Sequence, residues 1–291
     1  MKKIFIFIAT MLIGGLIWYL FIKPFDYLVQ FNTNTTTGVV NQTIKAWSAS
    51  VKNSEVYFSD NLNILNQKIV LGDNTYNYKW VIESTSDTTS SVEVFANEKK
   101  NNFLNRVKIP FSNTVIEKKV LKNVSEFNKY LMNHVKNFRV REVTQKNLPA
   151  KFVAYTSFKT TQLHKVVGMM EIYPYLDNIM ATNAIKPNGL PFIQVTYWNM
   201  QNDSIYYDFC YPIIQKDTLP ILKDIKYREF TGGKMLQTEY NGNYITSDRA
   251  WYKLINSAKN KNIPIEKLPI EVYYTNPNFG GNELDWKAEI F

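Results

Sequence analysis

The most constraining feature of the sequence is an apolar run near its start. Residues 4–22, IFIFIATMLIGGLIWYLFI, contain no charged side chain. A helix of this length extends about 30 Å, the thickness of the hydrocarbon core of a bilayer. Lys2 and Lys3 precede the run, and Trp18 and Tyr19 lie near its far end, as aromatic residues do at membrane interfaces. The run therefore predicts a transmembrane helix.

A cleavable signal peptide is the alternative interpretation of this run. Its apolar region is usually shorter and is followed by a small-x-small cleavage site. The sequence WYLFIKPFD offers no such site and no cysteine for lipid attachment. We therefore predict that residues 1–23 form an uncleaved signal anchor that places residues 4–22 in the lipid bilayer. Because Lys2 and Lys3 outweigh Lys23, the predicted single-pass protein has a cytoplasmic N-terminus. Residues 24–291 would lie outside the cytoplasm, in the periplasm if the source is a Gram-negative bacterium.

The charge of the chain limits the classes of partner. The formal net charge is +9, and three of these positive charges belong to the lysines that flank the apolar run. The remaining lysines are scattered, and no helix-turn-helix, zinc finger or basic region is present, so we predict no nucleic-acid partner. A mildly basic domain beside an anionic bilayer surface is the simpler interpretation.

Residues suited to metal, redox or nucleophilic chemistry are scarce. Cys210 is the only cysteine, which excludes a disulfide within the chain, and its apolar strand pattern predicts a buried, inert thiol. His134 and His164 lie far apart without a Cys or acidic cluster, so no metal site is predicted. His134 borders the apolar side of a predicted helix and is interpreted as structural. No phosphate-binding loop or Ser-His-Asp set is present, and no cofactor is predicted.

Residues 24–142 are predicted to form one domain. A strand near residue 27 precedes a helix that Thr36 or Thr37 caps, and four short strand-like runs follow in residues 55–96. One of them, residues 76–83, alternates aromatic or apolar with polar side chains. Seven apolar residues then recur at spacings of three and four, which predicts an amphipathic helix over residues 112–137. They are Ile116, Val120, Val124, Phe127, Leu131, Val135 and Phe138.

This order of elements resembles the helix-grip fold of the START/polyketide-cyclase-like (SRPBCC) superfamily. The residues that suggest it are 25–31 (FDYLVQF), 78–82 (YKWVI) and 105–111 (NRVKIPF), followed by the long helix. The resemblance implies an apolar ligand between sheet and helix. It implies no substrate and no catalytic set.

The remainder of the chain is predicted to contain a linker and a duplicated domain. Residues 143–150 are assigned as the linker. Residues 151–291 then repeat a weak pattern of strand, helix and two strands, with the first helix predicted to begin at Pro174. The complete prediction is an α+β chain: a transmembrane helix, a helix-grip domain (24–142) and a duplicated βαββ domain (151–291) with a cleft between its halves.

The strand at residues 268–277, LPIEVYYTNP, supplies the best candidate site residue. Alternation places Glu271 and Tyr273 on one face, opposite a plain core face. A carboxylate in an aromatic-lined cavity binds a cation or acts as an acid or base with a raised pKa. The alternative is an edge strand whose glutamate is solvated.

Residues 151–291 resemble the GyrI-like small-molecule-binding domain, also called the AraC-type effector-binding domain. The suggestive motifs are 240–244 (YNGNY), 268–277 and the terminal WKAEIF. The resemblance implies a central cavity in which a glutamate at the position of Glu271 meets cationic or amphipathic ligands. The predicted ligand-binding residues are Glu271, Tyr273, Tyr244, Trp251, Trp198 and Tyr207, although core packing is an alternative role for each aromatic residue. The sequence lacks the DNA-binding domain of the family's regulators.

Three classes of function follow. The first is a membrane-anchored binding protein for small apolar or cationic molecules. The second is a hydrolase that uses Glu271 as general base or acid. The third is a non-catalytic interaction module of the cell envelope with collapsed cavities. The sequence does not indicate the ligand or the oligomeric state.

Overall fold

Two antiparallel sheets organise the protein in this computed structural model, which describes residues 2–59, 61–100 and 102–291. The fold is α+β, as predicted. The chain divides into two units, Met1–Met132 and Asn133–Phe291, and each is described by itself. The separate folding of residues 24–142 and 151–291 stays a prediction.

The α-helices of the described residues are α1 (Lys2–Ile17), α2 (Thr37–Ser50), α3 (Asn102–Lys108), α4 (Val115–Lys136), α5 (Lys165–Thr182) and α6 (Arg249–Asn260). The strands are β1 (Tyr27–Thr33), β2 (Ser54–Phe58), β3 (Ile64–Leu71), β4 (Asn74–Ser84), β5 (Ser90–Glu98), β6 (Phe138–Val140), β7 (Thr144–Leu148), β8 (Lys151–Thr161), β9 (Phe192–Asn199), β10 (Ser204–Pro212), β11 (Lys226–Phe230), β12 (Gly233–Gly242), β13 (Ile270–Tyr273) and β14 (Lys287–Ile290).

The apolar run near the N-terminus is helical, as predicted. Helix α1 continues into a π-helical turn, Trp18–Ile22, and the combined segment of 21 residues is long and apolar enough to cross a membrane. A signal sequence close to an N-terminus has the same length and composition. No side chain of α1 is buried.

The first unit contains a five-stranded sheet in the order β1-β5-β4-β3-β2. Along β4, buried and partly buried residues alternate, which confirms the predicted half-buried strand. Helix α4 begins at Val115 and buries five of the predicted periodic residues. The rings of Trp47, Trp80 and Phe127 pack edge to face with centroids 4.8–6.3 Å apart, and none is more than 6% exposed. These rings form the aromatic centre of the core between α2, β4 and α4.

Residues 105–111, which contributed to the helix-grip resemblance, lie in α3 and the turn after it. Membership of the SRPBCC superfamily stays a prediction.

The second unit contains a sheet in the order β11-β8-β10-β9-β13-β14-β12-β6, and β7 pairs with β12. Two runs of strand, helix and two strands follow one another along the chain: β8, α5, β9 and β10, then β12, α6, β13 and β14. A duplication behind this order stays a prediction. The segment assigned as a linker, 143–150, contains β7, because its backbone finds hydrogen-bond partners along β12.

The predicted start of the first helix at Pro174 is wrong. Helix α5 begins nine residues earlier, at Lys165, and Pro174 lies inside it. Its buried residues Met169, Ile172, Leu176 and Met180 continue one helical stripe across the proline. Packing of this stripe therefore outweighs the loss of one backbone hydrogen bond at the proline.

The single cysteine lies in β10 of the second unit. Cys210 is completely buried, and burial raises the pKa of its thiol to about 12. A thiol that stays protonated is a weak nucleophile. The predicted burial of the cysteine is confirmed.

Candidate functional site

Glu271 lies at the centre of the second sheet. Its strand, β13, pairs with β9 on one side and β14 on the other, so it is not an edge strand. Every residue of β13 is buried, and Glu271 has no exposed surface. The alternative of a solvated edge-strand glutamate is therefore wrong, because strands on both sides enclose β13.

The carboxylate of Glu271 has an asymmetric environment. Its Oε2 accepts hydrogen bonds from the hydroxyls of Ser247 and Tyr273, both at 2.6 Å. Its Oε1 is buried and accepts no hydrogen bond. The nearest cation to Oε1 is the ammonium of Lys165, whose Nζ lies 3.9 Å away. One oxygen is thus fixed by hydroxyls, and the other faces a buried positive charge.

Lys165 supplies this positive charge from the first turn of α5. Its side chain is also completely buried, and Nζ donates a hydrogen bond of 2.8 Å to the carbonyl of Tyr244. Nζ also lies 5.8 Å from the ring centroid of Trp251, within the range of a cation–π contact. As an ion pair, Lys165 and Glu271 together carry no net charge.

Burial controls the titration of this cluster. It raises the pKa of Glu271, while Lys165 and the hydroxyls of Ser247 and Tyr273 oppose the rise by favouring the charged form. Burial and the neighbouring Glu271 raise the pKa of Tyr273 well above its usual range. Tyr273 therefore stays protonated and donates its proton to Oε2 of Glu271.

An apolar cavity of about 390 Å³ lies beside this cluster. Tyr244 and Tyr273, two of the six predicted ligand-binding residues, line it. Its other side chains come from α5, the start of β9, β10 and the segments after β12 and β13. They are Val166, Met169, Met170, Tyr173, Leu190, Pro191, Phe209, Asn243, Ile245, Tyr274, Thr275, Asn276, Pro277, Asn278 and Trp286.

Glu271 itself is not a lining residue of this apolar cavity, so the expectation that it faces the cavity is wrong. Tyr273 does line the cavity, and its hydroxyl donates a hydrogen bond to Oε2 of Glu271. Tyr273, and not Glu271, is thus the residue of β13 through which the charged cluster meets the cavity.

The three remaining predicted aromatic residues are elsewhere. Trp198 and Trp251 contact each other edge to face at 4.9 Å and line a second cavity of about 510 Å³, whose surface is more polar. Tyr207 lines neither of these two cavities. It donates a hydrogen bond of 2.8 Å to the carbonyl of Lys165, which helps to fix the start of α5. The structure therefore divides the six predicted residues among the charged cluster, two cavities and a support for α5.

A model of the GyrI-like small molecule binding domain matches residues 141–291, slightly more than half of the chain. The chain belongs to the GyrI-like family. No curated protein matches it.

Several solved structures are similar to parts of the chain. The EcmrR C-terminal domain is 15% identical, with a TM-score of 0.44 over 51% of this chain and 94% of that one. A hydrolase from Listeria innocua is 11% identical, with a TM-score of 0.34 over 52% and 90%. The di-domain ARO/CYC BexL, from the BE-7585A biosynthetic pathway, is 7% identical, with a TM-score of 0.28 over 91% and 82%. All three scores are low, so the family assignment depends on the family model.

The second unit contains another buried polar cluster, which the sequence did not suggest. Asp248, 1% exposed, accepts hydrogen bonds from Gln162 and Arg249 at 2.9 and 2.8 Å. Arg249 in turn donates to Nε2 of His134 at 3.2 Å. An imidazole nitrogen that accepts a hydrogen bond is unprotonated, so His134 is neutral here. In the part of the chain that the structure describes, no group of three or more His, Cys, Asp or Glu side chains could hold a metal ion.

His134 should make the second unit sensitive to acid. Burial, with a contribution from Arg249, lowers the pKa of His134 from 6.5 to about 4. Between these values the unfolded chain binds a proton that the folded chain does not, so stability falls as pH falls. We expect wild type to lose about 3 kcal/mol more than His134→Gln between pH 7 and pH 4. Urea unfolding at both pH values measures this difference.

The exposed His164 provides the matched control for this experiment. His164→Gln should retain the pH dependence of wild type. If His134→Gln retains it as well, His134 is not neutral in the folded protein.

Proposed function

We propose that the protein is a membrane-anchored receptor for small, neutral, apolar molecules. They bind in the 390 Å³ cavity of the GyrI-like domain. The observation that carries this proposal is that an apolar, aromatic-lined cavity lies beside a glutamate whose negative charge is already balanced by the buried Lys165. Cavities of this size, mostly apolar with a few polar groups, are typical ligand sites.

Lys165 favours neutral ligands over the cations that the sequence also suggested. A ligand cation at Glu271 would have to displace the ammonium of Lys165, which contacts Oε1 from a completely buried position. The displaced ammonium would need another partner inside the protein, and leaving it unpaired is costly. The cluster is thus biased against a second positive charge.

Tyr273 gives the cavity one feature for orienting a ligand. Because its proton goes to Glu271, its phenolic oxygen is available to accept a hydrogen bond from a ligand hydroxyl or amide. The hydroxyl of Tyr244 is already used by backbone groups of Thr275 and Lys287. The proposed ligand is therefore an apolar molecule that carries a hydrogen-bond donor for Tyr273.

The other two classes of function receive less support. A general base must reach the proton it removes, whereas Glu271 is separated from the cavity by Tyr273 and already accepts two hydrogen bonds. An interaction module with collapsed cavities does not account for 390 Å³ of apolar space.

The membrane anchor is part of this proposal. Contacts within the first unit support it, because the end of the apolar helix is integrated into the fold. Arg106 donates to the carbonyl of Leu20 at 3.0 Å and forms a buried ion pair with Asp26 at 2.7 Å. The side chain of Asn97 donates to the carbonyl of Pro24 at 2.7 Å. Cleavage after the helix would remove part of this network, so we propose that the helix is retained.

Filling the cavity should abolish ligand binding. Val166 lines the cavity from α5, and the next residue, Val167, is 52% exposed and does not line it. Adjacent helix positions face different directions, so the two valines form a matched pair. We expect Val166→Trp to weaken binding of 2-naphthol, a neutral aromatic alcohol, by roughly tenfold or more, about 1.4 kcal/mol. Isothermal titration of the full chain in detergent, with a detergent blank, measures the affinity.

Val167→Trp should bind 2-naphthol as wild type does, and 2-naphthylmethylammonium should bind weakly to all three proteins. Equal losses in both variants would place the binding site outside this cavity. Tighter binding of the ammonium than of the alcohol would contradict the preference for neutral ligands.

A further inference from the structure

Helix α3 of the first unit has its apolar and polar sides reversed. Asn105 and Arg106 are buried, at 9% and 3% exposure. Phe103, Leu104 and Val107 are 47%, 55% and 42% exposed. A surface helix in water normally buries its apolar side chains and exposes its polar ones. The outer face of α3 is therefore suited to an apolar environment.

The exposed apolar surface continues beyond the helix. Phe111 is 86% exposed and Val115 is 74% exposed. Together with the three residues of α3, they form what we call the α3 patch: Phe103, Leu104, Val107, Phe111 and Val115. Single exposed apolar residues are ordinary, but such a concentration marks a surface that binds another apolar body.

The α3 patch lies beside the end of the apolar N-terminal helix. The ring of Phe103 stacks on that of Phe21 at 5.4 Å. The hydroxyl of Tyr19 donates to the carbonyl of Arg106 at 3.1 Å, and Arg106 donates to the carbonyl of Leu20. Aromatic residues at the end of a membrane helix lie at headgroup level. The contacts place α3 at this same level.

Exposed basic residues flank the α3 patch. Lys99 and Lys100 precede α3, and Lys108 ends it; all three are exposed. Basic residues near a bilayer surface are attracted to anionic lipids. Apolar side chains with flanking lysines are typical of segments that lie in the plane of the interface.

We propose that the α3 patch is a lipid-binding surface that lies in the interfacial layer of the bilayer entered by α1, with a preference for anionic headgroups. The inference rests on the anchor in the proposed function, and it is independent of the ligand cavity. It would hold the first unit against the membrane instead of leaving it on a free tether.

A fluorophore beside the patch can test this contact in the full-length protein. We would attach an environment-sensitive label at Ser112→Cys, next to Phe111, and reconstitute the protein in vesicles of phosphatidylcholine and phosphatidylglycerol. The native thiol of Cys210 is buried with a raised pKa, so it should not compete for the label. Thr88→Cys is the matched control, because Thr88 is exposed in the β4–β5 turn. This turn lies at the far end of β1, about 20 Å from the start of that strand, which follows the apolar helix.

We expect spin-labelled lipids to quench the Ser112 label several-fold more than the Thr88 label. Leu104→Ser combined with Phe111→Ser should reduce quenching at Ser112 to the Thr88 level. Equal quenching at both sites in wild type would overturn the proposal. A blue-shifted Ser112 label that lipids do not quench would also overturn it, since a protein would then cover the patch. Flotation of the vesicles tests the anchor separately, because an unanchored chain does not float.

Discussion

Lys165→Ala is expected to lower the free energy of opening of β13 by about 3–5 kcal/mol at pH 8, the usual cost of leaving one partner of a buried ion pair alone. Among the described residues, Lys165 is the ion-pair partner of Glu271, and Oε1 accepts no hydrogen bond that could replace it. Burial raises the pKa of Glu271, so its carboxyl is protonated and neutral at low pH. A neutral carboxyl needs no cation, whereas the stability that depends on its protonation is lost as the pH rises. The destabilisation should therefore shrink towards pH 5. Hydrogen exchange of β13 peptides in the full chain measures it.

Two controls separate charge from packing at Lys165. Lys165→Ala combined with Glu271→Gln should recover most of the loss at pH 8, because no charge is left unpaired. n-Butylammonium, which has the shape and charge of the deleted side chain, should stabilise Lys165→Ala, whereas n-butanol should not. If the double variant is as unstable as Lys165→Ala, or if the alcohol stabilises as well as the amine does, the ammonium is not the partner of Glu271.

Arg106→Gln should destabilise the first unit by a similar amount, about 3–5 kcal/mol. The guanidinium of Arg106 is 3% exposed and lies 2.7 Å from Oδ1 of Asp26. It also donates to the carbonyls of Leu20 and Lys23 at the end of the N-terminal helix. Helix ends leave carbonyls without intrahelical partners, so Arg106 links this end to the sheet. Faster hydrogen exchange of residues 23–33 is the expected result.

Lys108→Gln supplies the matched control for Arg106. Lys108 lies in the same helix, carries the same charge and is exposed, so its loss should change stability by well under 1 kcal/mol. Equal effects of the two variants would mean that net charge, and not the buried Asp26 pair, is responsible.

Periodic features of the fold were predictable from sequence. The spacing of apolar residues in α4 and the alternation along β4 depend on local geometry, with periods of 3.6 and 2. The same alternation placed Glu271 and Tyr273 on one face of β13. Because these patterns involve neighbours in sequence, no knowledge of distant contacts was needed.

The contacts between distant residues in the site were not predictable in this way. Lys165 would have been recognised only if α5 had been extended back across Pro174, which normally opens a helix. The sequence could not tell that Tyr244 and Trp251 would line different cavities, or that Tyr207 would line neither. That separation depends on how helices α5 and α6 pack on the sheet, which tertiary contacts decide.

Arg106 illustrates the same limit in the first unit. Its position in a short segment with exposed lysines indicates a solvated charge. The structure instead buries it, because Asp26 and two backbone carbonyls from distant parts of the chain converge on the guanidinium.

Native mass spectrometry of the full chain, extracted in detergent from the cells that express it, tests the central claim most directly. We expect a co-purifying small molecule that is neutral and apolar, retained by Val167→Trp and absent from Val166→Trp. A permanently cationic molecule, bound to wild type and lost on Glu271→Gln, would contradict the account, since Glu271 would then serve the ligand and not Lys165.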